Sequence, residues 1–272
     1  MRLGIAQLKG ESLYETVKGL KENTCVQVFL GEKTSLYPKD LAPMDKVNTM
    51  IFCNKNCCKV YFHSPYTANL AKENADTSFS CVCKELKNAE PFGGSSVLHI
   101  GNNGKGGSIQ NVSKCVNQAR EQGYLSGKST LLLENAAGQG NELGKSLEEI
   151  RLLFEGIDNT ENVGICLDTQ HSFASGMCDF SSHESVVKMF EGIRAYGKVP
   201  LVHINDSEKE YNSRKDRHQV VGEGYIWGKD KTSLESLVSI CDQYEIDMVS
   251  ETKDPLKDII TLGEIRKKIA KE

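Results

Sequence analysis

The 272-residue sequence has no apolar run approaching the roughly 18 residues of a membrane-spanning helix, and its start, MRLGIAQL, lacks the charged head and long apolar stretch of a secretory leader. A soluble intracellular protein is therefore expected, in cytoplasm, nucleus or a viral factory, with no membrane partner. There is no excess of positive charge. With 33 Lys and Arg against 37 Asp and Glu, the formal charge is −4, so contact with nucleic acid must come from a local basic cluster. There is no CxxC pair either: the ten cysteines include CNKNCC (Cys53, Cys57, Cys58) and CVC (Cys81, Cys83), spacings unlike a zinc ribbon, and reduced, mostly buried thiols are expected. No Pro/Gly/Ser-rich linker, low-complexity tract or repeat divides the chain. One domain over residues 1–272, acting as a monomer, is the expectation, and 39% apolar content suffices for its core.

What is present is a regular alternation. LGIAQL from Leu3, VQVFLG from Val26, KVYFH closing on His63, SVLHIG with His99, TLLLEN with Glu134, VGICLD ending on Asp168, LVHIN with His203 and DMVSET with Glu251 read as short buried strands. Between and after them lie stretches of helical spacing: SLYETVKGLKE, KDLAPMDKVNTMIFCNK with Pro43 near its first turn, ANLAKENADTSFSCVCKELKNAE with a break near Asp76, GSIQNVSKCVNQAREQG, SLEEIRLLFEGI, HESVVKMFEGIRAYG, TSLESLVSICDQY and LKDIITLGEIRKKIAKE. Strands alternating with helices in this way predict an α/β fold, a TIM (β/α)8 barrel with its active site at the C-terminal mouth of the strands. A doubly wound open sheet ranks second, because it would spread the polar strand ends along an edge.

Those strand ends carry the chemistry. Of six histidines, five follow or close strand-like apolar runs, and only His183, after two serines, reads as an exposed residue without a role. Imidazole with carboxylate and no paired thiolate is the donor set of a hydrolytic Zn, Mn or Fe site. His63, His99, Glu134, Asp168, His203 and Glu251 stand at or near the ends of strands three to eight, and His171, Asp216 and His218 come from loops just beyond strands six and seven, so all nine face one cavity. Nine donors exceed what one or two ions need. Three ions sharing one carboxylate would leave positions open for water and substrate, and clustered cations suit an oxyanion-rich substrate such as a phosphodiester. Lys105, Arg214, Lys215 and Arg217 would supply phosphate contacts near the mouth, with a solvated charged loop as the alternative. The glycines of GEG read as a tight turn or as a phosphate cradle.

At this point the motifs VGICLDTQHSFASG, LLLENAAGQG, HINDS followed by DRH and GEG, and the late SET resemble the endonuclease IV family of apurinic/apyrimidinic endonucleases, zinc enzymes of base-excision repair on a barrel fold. The similarity runs over nearly the whole chain. It implies three Zn2+, with Mn2+ or Fe2+ as alternatives at some sites. His63, His99 and Glu134 correspond to ligands of the first; Glu134 as bridge, with Asp168, His203 and Glu251, to ligands of the second; and His171, Asp216 and His218 to ligands of the third. Glu134 and Glu251 are the implied catalytic carboxylates. The implied partner is double-stranded DNA containing an abasic site, cut on its 5′ side to leave a 3′-hydroxyl and a 5′-deoxyribose phosphate. Tyr66 corresponds to an aromatic that helps fill the gap left by the flipped-out nucleotide. The rival is a metal-dependent sugar isomerase or epimerase of similar barrel fold, which has no need of the His171, Asp216 and His218 set. A DNA-binding or scaffold module that has lost catalysis would not retain all nine donors.

Overall fold

A computed structural model describes residues 1–7, 10–104 and 106–271, so Lys105 lies outside the described residues. In chain order the elements are β1 (Leu3–Gln7), α1 (Leu13–Val17), β2 (Thr24–Val28), α2 (Pro43–Asn56), β3 (Lys59–His63), α3 (Asp76–Ala89), β4 (Ser95–His99), α4 (Ile109–Glu121), β5 (Thr130–Glu134), α5 (Leu147–Glu155), β6 (Val163–Asp168), α6 (Thr169–Ala174), α7 (His183–Arg194), β7 (Lys198–His203), β8 (Asp206–Ser207), β9 (His218–Gln219), α8 (Thr232–Gln243), β10 (Asp247–Ser250) and α9 (Pro255–Ile269). Eight parallel strands close into a barrel in the order β1-β10-β7-β6-β5-β4-β3-β2. The predicted TIM barrel is the observed fold. No described helix is long and apolar enough to cross a membrane.

The strand period of two divides the core into two shells. Cys25, Tyr61, Val97, Leu132, Cys166, Leu201 and Val249 pack together as a single cluster, the barrel filling. Their chain neighbours Val26, Phe62, Leu98, Leu133, Leu167 and Val202 belong instead to the clusters that pack against the helices. Between β6 and β7 the register slips, from Gly164 opposite Lys198 to Cys166 opposite Leu201. The extra residue falls around Pro200, which has no N–H to give the ladder, and the shift sets Asp168 opposite His203. Below the apolar filling, Asp247 accepts from Tyr61 Oη at 2.8 Å and from the backbone N of Arg2 at 2.7 Å, tying β10 to β3 and to the start of β1.

Several helices differ from expectation. The predicted helix from Ala68 begins only at Asp76, because Asn69 diverts the earlier backbone: its Oδ1 accepts from Ala71 N at 3.0 Å and its N donates to Ser78 Oγ at 3.1 Å. The first helix is short, spanning Leu13–Val17. Pro43 does occupy the first turn of α2. All ten cysteines are free thiols, and only Cys57 is exposed.

One buried carboxyl in α3 gives a pH prediction. Glu85 is enclosed, accepting from Ser64 Oγ and, at 2.9 Å, from Ser96 Oγ, while its Oε1 has no partner among the described residues. Burial raises its pKa to about 7, against the partial help of the two hydroxyls. A carboxyl whose folded pKa is raised contributes stability below its unfolded value, near 4.5, and loses it as pH rises through 7. Glu85→Gln is therefore expected to raise stability at pH 8 by up to about 3 kcal/mol and to flatten the dependence between pH 4.5 and 7. Urea denaturation of both proteins at pH 5 and pH 8 checks this; an equal change at the two values would contradict it.

Candidate metal centre

Alternation continues from the barrel filling into the mouth. Two residues beyond Tyr61, Val97, Leu132, Cys166, Leu201 and Val249 come His63, His99, Glu134, Asp168, His203 and Glu251, so the apolar plug becomes a floor of imidazoles and carboxylates. The remaining three donors arrive by local structure that the sequence reading did not foresee. Asp168 caps α6 by accepting from His171 N at 2.8 Å, and that helical turn swings His171 back over the floor. The hairpin of β8 and β9 then returns the chain so that His218 comes within 3.8 Å of Asp168 Oδ2. All nine sequence-predicted donors converge.

They fall into groups around Glu134. Its Oε2 lies 3.2 Å from His63 Nε2 and 3.2 Å from His99 Nε2, while its Oε1 lies 2.9 Å from His203 Nδ1. His203 Nδ1 is also 3.1 Å from Glu251 Oε2 and 3.9 Å from Asp168 Oδ2. Beside these, Asp216 Oδ1 lies 3.5 Å from His171 Nε2 and 3.2 Å from His218 Nε2. Within three of the sets, His63/His99/Glu134, Glu134/Asp168/His203/Glu251 and Asp168/His171/His218, the donor atoms lie within 4.8 Å of one another. Donors bound tetrahedrally at about 2.0–2.2 Å stand about 3.3 Å apart, so these separations fit divalent ions held between the groups.

Tautomers sharpen the fit. His63 Nδ1 lies 2.7 Å from the carbonyl of Ser64, His171 Nδ1 lies 2.8 Å from the carbonyl of Asn135, and His203 Nε2 lies 2.7 Å from Gln27 Oε1. Each of these partners only accepts, so that ring nitrogen carries the proton and the neutral ring aims a lone pair inward at carboxylates. Lone pair facing carboxylate requires a cation or an added proton between them. The buried Nε2 of His218 has no hydrogen-bond partner among the described residues, although Asp216 is close. The donor set thus fits metal on its own geometry.

Electrostatics agree. Burial alone would raise Glu134, but His203 and His99 hold it well below the ordinary carboxylate range. Burial likewise works to raise Asp216, and the adjacent imidazoles of His171 and His218 pull it below its usual value. In return, against the opposing effect of burial, Asp168 and Asp216 raise His171, and Cys166, Glu251 and Glu134 raise His203, both well above the usual imidazole range. The carboxylates thus draw positive charge into the cluster, whether a proton on an imidazole or a metal cation.

Residues not singled out from the sequence hold the donors in place. Gln27 bridges His203 and Glu251, donating to Glu251 Oε1 at 2.7 Å. Its signal was available, since it follows the inward Cys25 by two residues on β2. Asn205 donates to Asp168 Oδ2 at 2.7 Å and accepts from Glu251 N at 3.0 Å. Gln170 donates to the carbonyl of Lys215 at 3.0 Å and so fixes the loop that carries Asp216.

Around the mouth, Tyr66 is 52% exposed and meets the rings of His63 and His99 at 5.6 and 5.8 Å between centroids. Arg214 and Arg217 are exposed on the loop before β9, Arg217 Nη1 donating to the carbonyl of Asp216 at 2.5 Å. The GEG glycines wrap a carboxylate of this chain: Asp206 accepts from the N–H groups of Gly222, Gly224 and Ile226, at 2.9, 3.1 and 2.9 Å. Those donors are occupied, so the turn reading holds there and the phosphate cradle does not. His183 is exposed and bonds Ser236, at 3.0 Å.

Known proteins share this architecture. Residues 24–249 match the family model for the xylose isomerase-like TIM barrel. Over 169 residues, 60% of the chain, the sequence is 34% identical to a probable endonuclease 4 of Symbiobacterium thermophilum, of which 61% is covered. Over 203 residues, 68% of the chain, it is 32% identical to apurinic-apyrimidinic endonuclease 1 of Plasmodium berghei, of which 39% is covered. The chain thus spans less than two thirds of the length of either relative. Endonuclease IV from Thermus thermophilus has the same fold, with a TM-score of 0.80 at 23% identity over 100% of both chains. The resemblance to endonuclease IV read from the motifs is matched by relatives of that name, and the chain belongs to the xylose isomerase-like TIM barrel family.

Proposed function

We propose that this chain, acting over residues 1–272 as a monomer, is a metal-dependent apurinic/apyrimidinic endonuclease that hydrolyses the phosphodiester 5′ to an abasic site in duplex DNA, leaving a 3′-hydroxyl and a 5′-deoxyribose phosphate. The observation that carries the reading is the third group, Asp216 within 3.5 Å of both His171 and His218, beside two groups that share Glu134. A sugar isomerase on the same barrel works with one or two ions and has no use for it. The relatives named as endonucleases support the same choice.

His63, His99 and Glu134 would hold a first ion, Glu134, Asp168, His203 and Glu251 a second, and His171, Asp216 and His218 a third, zinc by the chemistry of the donors. Bound there, divalent cations supply the Lewis-acid charge that draws a phosphodiester toward attack by water. The protein supplies position. Ser64, Asn135 and Gln27 keep protons on the outer nitrogens of His63, His171 and His203, so those rings stay neutral donors facing the substrate. Glu134 and Glu251, as the catalytic carboxylates, keep the site's charge centred on the floor, and Arg214 and Arg217 hold backbone phosphates at the rim.

Tyr66 would press on the gap that an extruded abasic nucleotide leaves, its half-exposed ring backed by His63 and His99. Tyr66→Ala should weaken binding of abasic duplex by about 1–3 kcal/mol, the scale of one stacking contact, with little effect on intact duplex. Fluorescence anisotropy on the two duplexes measures this, and equal affinities before and after would return Tyr66 to a packing role.

The function itself is tested on duplex DNA carrying an abasic analogue that cannot undergo β-elimination, with a ketose as control. Incision to a 3′-hydroxyl is expected, because hydrolysis at phosphorus needs no sugar aldehyde. Conversion of the ketose without incision would select the isomerase.

A further inference from the structure

Beside the third group, the mouth carries a second feature with its own charge. A cleft of about 430 Å³ lies between the segments 145–148 and 175–177, and Arg214 lines it as well. Lys145, which no motif singles out, converges there with Arg214 over Gly138. A Cβ at Gly138 would come within 2.8 Å of Arg214 Nη1 and 3.3 Å of Lys145 Cδ, and the backbone there, at φ +80°, is one that only glycine adopts readily. The two side chains pass over the same glycine, where a Cβ would meet both.

Their charge is not cancelled locally. Arg214 makes no ion pair among the described residues; its Nε donates to Asn212 Oδ1 at 3.1 Å, and its backbone, at φ +56°, is pinned by a bond from its N to the carbonyl of Ala174 at 2.9 Å. Lys145 Nζ faces Glu149 Oε1 only at 3.9 Å, and the other oxygen of Glu149 accepts from the N–H groups of Gly144 and Lys145. Glu148, the acidic residue lining the cleft, is engaged by Arg151 at 2.6 Å. A guanidinium with no carboxylate partner, beside an ammonium whose one carboxylate contact is long, forms a site for an oxyanion.

We propose that this cleft is a phosphate subsite: it takes a phosphodiester of the DNA backbone on a nucleotide neighbouring the one at the metal centre, Arg214 gripping two oxygens and Lys145 adding a point charge. Chain connectivity fixes the proximity. Arg214 stands two residues before Asp216, at most about 7 Å along the chain, and Gly138 stands three residues after Asn135, whose carbonyl orients His171. The proposal rests on the nuclease reading and goes beyond it by giving a non-reacting phosphate its own place.

The test uses the zinc-loaded full chain and a labelled abasic duplex with an uncleavable scissile phosphate, with affinity measured from 50 to 200 mM salt. Lys145→Met and Arg214→Met are each expected to weaken binding about tenfold and to flatten the dependence of log Kd on log salt by about 0.9, the signature of one lost phosphate contact. Lys21→Met, in the turn leading to the opposite end of the barrel, should leave the slope unchanged. Weaker binding with an unaltered slope would mean that the loop had shifted and would overturn the subsite. If wild-type protein binds and cuts abasic duplex while neither variant differs from it, the subsite falls and the nuclease reading stands. If wild type fails to bind abasic duplex at all, that reading falls first and takes the subsite with it.

Discussion

Glu134→Gln is expected to lower turnover on abasic duplex DNA by about a thousandfold, roughly 4 kcal/mol in the barrier, while abasic DNA still binds within about tenfold of wild type. The reason lies in how the two oxygens are shared. Oε2 faces His63 and His99, both at 3.2 Å, and Oε1 faces His203 at 2.9 Å. Glutamine keeps the shape but replaces one oxygen with an amide NH2, which points donors at nitrogens whose lone pairs are already turned inward. Whichever way the amide is flipped, one group loses its oxygen donor and the other keeps an oxygen that no longer carries a formal negative charge. The phosphate contacts proposed for Arg214 and Arg217 lie at the rim, on side chains that this substitution leaves untouched. Single-turnover incision and elemental analysis of the same preparation separate the two effects: less metal and a thousandfold slower cut are expected together. Turnover within a few-fold of wild type at saturating DNA would mean that Glu134 is not shared between ions.

Why the donors were legible from the sequence, and their supports were not, follows from what each depends on. His63, His99, Glu134, Asp168, His203 and Glu251 close or follow apolar runs, and a parallel barrel delivers strand ends to one mouth whatever its helices do. His171 needed only the helical turn after Asp168. Gln27 is different: an uncharged amide inside a strand gives no sign of function until closure of the barrel brings it to His203, 176 residues away in sequence. The same holds for Gln170, whose role depends on the carbonyl of Lys215 across the loop. The late start of α3 was missed because the side chain of Asn69 outcompetes helix propensity, an interaction that reaches to Asn102 N and cannot be inferred from local periodicity. The hairpin of β8 and β9, two residues per strand, is too short to leave a pattern. The GEG turn reads as a phosphate cradle only while its N–H groups look free, and Asp206 takes them.

Exhaustive chelation should abolish incision and lower the melting temperature at pH 8 by on the order of 10 °C, with both restored by zinc. In the metal-free protein the inward Nε2 of His171 faces Asp216 and the inward Nδ1 of His203 faces Glu134, Glu251 and Asp168, and protons are the only cations left to lie between them. Although burial opposes it, the carboxylates raise His171 and His203 well above their usual 6.5, so protonated rings stabilise the empty site. That contribution is fully present below the unfolded imidazole value and is lost as pH rises through the raised folded values. Glu134 and Asp216, held low by the imidazoles against burial, act oppositely: their contribution is present above the unfolded carboxylate range and is lost on acidification. The metal-free protein should therefore be most stable near pH 5 to 6, about where both contributions overlap, and should weaken toward pH 8. Zinc must displace those protons, so its stabilising effect should grow with pH and its binding should release protons into a weak buffer. Melting curves of stripped and reloaded protein at pH 6 and pH 8 read the difference directly. An equal gain from zinc at both values, or a stripped protein that melts at the same temperature as the loaded one at pH 8, would mean that the nine side chains are balanced without a cation and that the centre is not a metal site.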